Sequence, residues 1–181
     1  MNQTERMTGM VSDPETLYKL MMLSMLIKVD YPLSNAQMSD FLLQRDYMNY
    51  FAAQEALTSL EKSGLITRET FANTSLYHIS DAGRETFGLF AGEIPEAIEQ
   101  DIAGYIEQNG DRLRSESSIT AQYEKLPDGQ YLVRCRISEK DFTLAELKFT
   151  IPTEEAASTM CNKWKSRSDE IYEELLSRLL N

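Results

Sequence analysis

"SLEKSGLITRE" at residues 59–69 and "YHISDAGRE" at residues 77–85 decide how this chain is read. The first closes a helix on Ser63-Gly64 and moves at once into β-branched and apolar residues. Gly64 suits the position just past a helix, where positive φ is needed and a Cβ would clash. The second ends a strand and restarts a helix, with Ser80 or Asp81 as cap. Between them "LITRETF" and "SLYHIS" flank "ANT", and Asn73 tolerates left-handed geometry, so a hairpin is expected.

Working outward toward the N-terminus, residues 1–13 are polar and unpatterned and read as a frayed arm. Asp13-Pro14 starts a helix, with Pro at the first helical position. That helix runs to about Val29 and is apolar nearly all round, including Met22 and Met25. Such a helix lies in the centre of a core or in a subunit interface. Asp30-Tyr31-Pro32 breaks it. Ser34 or Asn35 caps a second helix with Met38, Phe41 and Leu42 inward. A third follows from about Met48 to Ser63, with Ala53, Leu57 and Leu60 as its buried stripe.

Toward the C-terminus, Ile94, Ile98, Ile102 and Ile106 step by four along a helix expected to end near Gly110 or slightly later. The period then falls to two. "ITAQYEKL", "QYLVRCRIS" and "FTLAELKFTI", joined by turns at "PDG" and "EKD", read as an antiparallel meander. Tyr131, Val133, Cys135 and Ile137 share one face, Arg134 and Arg136 the other. Thr153 caps a last helix, acidic in its first turn, of roughly 40 Å if continuous to Leu180. The expected class is therefore α+β: an N-terminal winged helix-turn-helix at residues 14–92, then a helix, a three-stranded antiparallel meander and a long C-terminal helix at 93–181.

Composition narrows the function. The 181 residues are 42% hydrophobic and 26% charged, ordinary for a globular protein. Net charge is −11. Residues 1–93 carry 7 basic against 12 acidic side chains, and residues 94–181 carry 11 against 17. Neither part is basic, which opposes nonspecific phosphate binding. The two cysteines, Cys135 and Cys161, form no Cys-x-x-Cys and fit a reducing cytoplasm. The N-terminus lacks an apolar signal core, and "LMMLSMLI" at 20–27 is too short to cross a membrane.

"LTSLEKSGLI" followed by "YHISDAGRE" resembles the helix exit, wing and restart of many bacterial winged-helix regulators, through Leu60, Gly64, Leu65, Ile66, Tyr77, Ile79, Ser80 and Gly83. These are residues of turns and cores, and they contact no base. More narrowly, "YPLSNAQMSDFLLQRDYMNYFAAQEALTSLEKSGLI" is similar to a bacterial domain-of-unknown-function family, number 4364, over essentially the whole chain. That resemblance implies a transcription-related winged-helix role, with no assigned effector, operator or catalytic residue.

Residues off the apolar stripe of the third helix are the expected DNA contacts: Asn49, Tyr50, Gln54, Thr58, Ser59 and Lys62, with Arg45, Arg68 and Asn73 alongside. Asn and Gln can pair with adenine, and Tyr and Thr can meet phosphate. Against this, no arginine lies between residues 46 and 67, and Glu55 and Glu61 repel phosphate. Tyr47 and Tyr50 equally read as aromatics set against the second helix. Met22, Met25, Trp164, Ile171, Leu175 and Leu179 are the expected homodimer contacts.

The single histidine, His78, has no companion ligand, so no metal is expected. No nucleophile elbow, phosphate loop or dinucleotide fingerprint occurs, and a Cys135–His78 dyad would need distant folding. No cofactor and no enzyme activity are expected. Arg112, Arg114, Arg134 and Arg136 could bind an anion, but neutralisation by Glu124, Glu139 and Glu146 is the preferred reading. The resulting expectation is a cytoplasmic DNA-binding regulator acting as a homodimer. The rival is a winged-helix protein-interaction module that no longer binds DNA.

Overall fold

The computed structural model describes residues 13–140 and 142–180. The arm expected at residues 1–13 lies, but for Asp13, outside the described residues. The fold is α+β, with two three-stranded antiparallel sheets.

Helix α1 (Pro14–Val29) carries Pro at its first turn, and the Asp13 side chain makes no capping hydrogen bond. Its residues Leu20 to Leu26 are all buried. Strand β1 (Leu33–Ser34) follows, then α2 (Asn35–Gln44), α3 (Tyr50–Lys62), β2 (Ile66–Phe71), β3 (Thr74–Ile79) and α4 (Asp81–Phe90). Strand β1 is not legible in the sequence. It pairs with β3, Leu33 opposite Tyr77, so the hairpin becomes a sheet of order β1-β3-β2. At the hairpin turn the positive φ (51°) belongs to Ala72, not to Asn73.

Local signals set the helix ends. Ser34 and Gln37 form a reciprocal capping box on α2. The Asn49 side chain accepts from Ala52 N and starts α3 at Tyr50. Ser80 accepts from Gly83 N at α4. Gly64 takes φ 69° just past α3.

A single turn of 3-10 helix (Ala91–Glu93) leads into α5 (Glu96–Ser118). This helix runs about two turns past Gly110. Ile102 is fully buried in the first core, with Ile98, Tyr105 and Ile106 packed against it. The first core therefore does not end at the division expected near residue 92. Buried Gln37 ties α2 to the far end of α5: its amide donates to Leu113 O (3.2 Å) and Glu116 Oε2 (2.9 Å), and its oxygen accepts from Ser117 Oγ (3.1 Å).

The meander is β4 (Ile119–Lys125), β5 (Tyr131–Glu139) and β6 (Phe142–Ile151), in that spatial order. Helix α6 (Glu154–Leu180) begins where Thr153 Oγ1 accepts from Ala156 N. It covers β4 and β5, and Ala121, Val133, Cys135, Ile137, Ala157, Cys161 and Trp164 form a second core. Both cysteines are buried there and free. Burial pushes the Cys135 thiol up to about 11 and raises Cys161 as well. Alkylation by iodoacetamide at about pH 7.5 is therefore expected to be at least roughly tenfold slower in the native protein than in guanidinium, because only the thiolate reacts. Equal rates, followed by mass spectrometry, would refute this burial.

Candidate nucleic-acid interface

Helix α3 buries Ala53, Ala56, Leu57 and Leu60 and turns its other side outward. On that side Tyr50 is 55% and Phe51 78% exposed, and Glu55, Thr58 and Lys62 also reach solvent. Phe51, Gln54, Glu55, Thr58, Ser59 and Lys62 line a shallow groove of about 440 Å³. A second depression joins Tyr50 and Asn35 to Asn73 at the ribbon turn. The structure thus brings together the expected residues of α3, and Tyr50 with Asn73. Phe51 is not among the expected contacts, because base reading is ordinarily sought in polar side chains. Its signal in the sequence is its place next to Tyr50, outside the i, i+3, i+4 stripe.

Several expected contacts are already engaged within the chain. Gln54 is not a free base reader: its amide donates to Asn35 Oδ1 and accepts from Asn35 Nδ2, each at 2.9 Å. The Thr58 hydroxyl donates to Gln54 O (2.8 Å), and Ser59 Oγ accepts from Lys19 Nζ (3.2 Å). Arg45 lies 3.7 Å from Asp101, and Arg68 3.2 Å from Glu61. Tyr47 packs its ring near Phe41 and donates to Asp101 Oδ2, a bond that raises its pKa.

The ribbon is clamped on its other side. Glu69 of β2 accepts from Arg136 and from Arg134 Nη1 (3.2 Å), while Glu146 also accepts from Arg136 (Nε at 2.9 Å). The Phe71 ring lies under the Arg134 guanidinium at 4.1 Å. Of the carboxylates expected to neutralise these arginines, Glu146 does so, and Glu69 from the other sheet takes the larger share. The hydrogen bond from Arg136 holds Glu69 below its ordinary 4.5. A carboxylate lowered in the folded state stabilises fully above its unfolded pKa and loses that contribution as pH falls through the folded value. Below about pH 4.5, native protein is expected to lose stability more steeply than Glu69→Gln. Superimposable slopes in urea titrations from about pH 5 to 3 would remove the clamp from the stability account.

The expected dimer residues divide. Met22 and Met25 have no exposure and are consumed by the first core, which is the first of the two alternatives open to α1. Trp164 is buried in the second core, its Nε1 donating to Arg136 O (3.3 Å). Ile171 and Leu175 are half-buried, while Leu176, Leu179 and Leu180 are exposed. Beside them Cys135, Leu147, Phe149, Met160, Trp164 and Ile171 line an apolar groove of about 550 Å³ between β6 and α6.

His78 sits on β3 opposite Thr67, and Cys135 faces the second core, so the two belong to different sheets. Among the described residues no cluster of three or more His, Cys, Asp or Glu is placed to hold a metal ion. No described helix is long and apolar enough to cross a membrane.

A family model described as "Domain of unknown function (DUF4364)" matches residues 18–179. No curated protein and no solved structure matches the chain.

Proposed function

The chain belongs to that domain-of-unknown-function family, and within it we propose a DNA-binding transcriptional regulator that works as a winged-helix homodimer. The observation that carries this reading is the uncovered outer side of α3. Tyr50, Phe51, Glu55, Thr58 and Lys62 reach solvent there, while the rest of the helix packs against α1, α2 and β2. The order helix, short strand, two helices, two-stranded ribbon, with β1 completing the ribbon's sheet, supports it. In this reading α3 enters the major groove and the Ala72–Asn73 turn approaches the backbone. Two copies would join through the exposed Leu176, Leu179 and Leu180, since a dimeric reader needs two α3 helices to meet successive grooves, ~34 Å apart.

Net charge bears on nonspecific affinity rather than on this face. Fluorescence polarization against genomic fragments at low salt tests the reading. A sequence-selective complex is expected, and Lys62→Ala is expected to weaken all sites alike and lower the salt slope by about 1. Absence of any sequence preference under these conditions would sink the proposal.

A second reading, a protein-interaction module without DNA binding, is favoured by one observation. Arg45, Arg68 and Arg84, the arginines of residues 13–93, each face a carboxylate of the same chain. Co-purification of a stoichiometric protein partner, with no DNA retained, would decide for it.

A further inference from the structure

Resting on the regulator reading, we infer that Phe51 reads the 5-methyl group of thymine in the major groove, and that the preferred half-site places a thymine under this ring. Phe51 belongs to the first turn of α3, set there by the Asn49 cap on Ala52 N (2.9 Å). In helix-turn-helix proteins this first turn is the part of the recognition helix that reaches base edges. A phenyl ring 78% exposed, meeting Tyr50 edge-on at 6.1 Å, contributes little to the core of this chain.

The polar alternatives on the same helix are largely spent. Gln54 is locked to Asn35 through both amide atoms, the Asn49 oxygen caps the helix, and the Thr58 hydroxyl bonds Gln54 O. Helix α3 carries no arginine, so the bidentate contact to guanine is missing. Lys62 is the remaining outward cation, and it stands ~16 Å along the axis from Phe51 at about 1.5 Å per residue. What is left at the base-facing end is aromatic, the Tyr50 ring with its hydroxyl and the more exposed, wholly apolar Phe51 ring. The one apolar group that base pairs present in the major groove is the thymine methyl.

Removing that methyl without changing base pairing isolates the contact. The full-length chain would be used to select duplexes from a random pool of about 24 base pairs, enough for two half-sites a helical turn apart. In a selected duplex each thymine would then be replaced in turn by deoxyuridine. The native protein is expected to lose about fourfold in affinity at one thymine per half-site, the worth of one buried methyl group. Phe51→Ala is expected to bind the thymine and deoxyuridine duplexes equally. Phe51 is exposed, so this variant keeps its thermal midpoint, which circular dichroism checks. Selected duplexes that tolerate deoxyuridine everywhere overturn the inference and leave the regulator reading intact. A deoxyuridine penalty that persists in Phe51→Ala overturns it as well. A pool that yields no enriched duplex removes the regulator reading, and the inference with it.

Discussion

Gly83→Ala is expected to cost about 3 kcal/mol of stability or more, at the top of the usual range for overpacking because the obstacle is backbone. A Cβ at this position would lie 2.1 Å from Leu65 O and 3.0 Å from Ile79 Cγ1. No rotamer change relieves a clash with a carbonyl. Leu65 O also accepts from Ser80 N (3.1 Å), and Ser80 Oγ both caps Gly83 N (3.0 Å) and donates to Gly64 O (2.6 Å). Lifting α4 to make room would therefore break the junction where α3, the ribbon and α4 meet. At Gly88, in the same helix, an added Cβ would meet nothing within 4 Å. Gly88→Ala is expected to stabilise by roughly 0.5–1 kcal/mol through the entropy glycine loses in a helix. Urea denaturation of the two variants measures the contrast. Similar midpoints for both would show that the close approach at Leu65 is not a constraint.

Ile102→Ala is expected to lose about 3 kcal/mol, the cost of a fully buried side chain whose cavity partly collapses. Ile102 comes from α5, beyond the point where the sequence suggested a division, yet it is fully buried in the first core with Met21, Phe41 and Leu60. The far end of the same helix holds Gln37 through Leu113, Glu116 and Ser117. The first core and the meander are thus joined by a shared helix rather than by a linker. The fluorescence of Trp164, the single tryptophan, reports the second core. Far-UV circular dichroism reports all the helices. Both signals are expected to shift to the same lower midpoint in Ile102→Ala. A Trp164 transition that stays at its native midpoint would mean that the two cores unfold independently.

Much of the fold is local and legible for that reason. Ser34, Ser80 and Thr153 sit at helix starts because their side chains satisfy backbone amides that have no partner inside the helix; Asn49 does the same for α3, where the sequence alone places it inside the helix as a DNA contact. The alternation of β5 separates Val133 and Cys135 from Arg134 and Arg136, as period two requires. Helix α5 outruns its expected end because a glycine stop is only a weak local preference. Leu113 and Ser117, buried against the first half of the chain, override it. Strand β1 is two residues long and carries no periodicity to detect. For α1, an apolar surface on every side leaves core and interface equally open, and only tertiary contact can choose.

The outer side of α3 is legible as a face but not as a chemistry. Helical spacing separates Ala53, Leu57 and Leu60 from Gln54 and Thr58, yet says nothing of the amide pair that Gln54 makes with Asn35, 19 residues earlier. Glu69 is the same case at greater range. Cross-strand register predicts Glu146 beside Arg136, because they are paired neighbours in β5 and β6. It cannot predict a carboxylate from a different sheet, 67 residues away.

The Glu69–Arg136 fork has a mechanical consequence. A hairpin anchored only at its base swings about its root, and its tip samples many positions. Here Glu69 is held by Arg136 and Phe71 lies under Arg134, so the contact with the meander reaches the residue next to the Ala72–Asn73 turn. The ribbon is thus braced from its root to its turn by side chains of the second sheet.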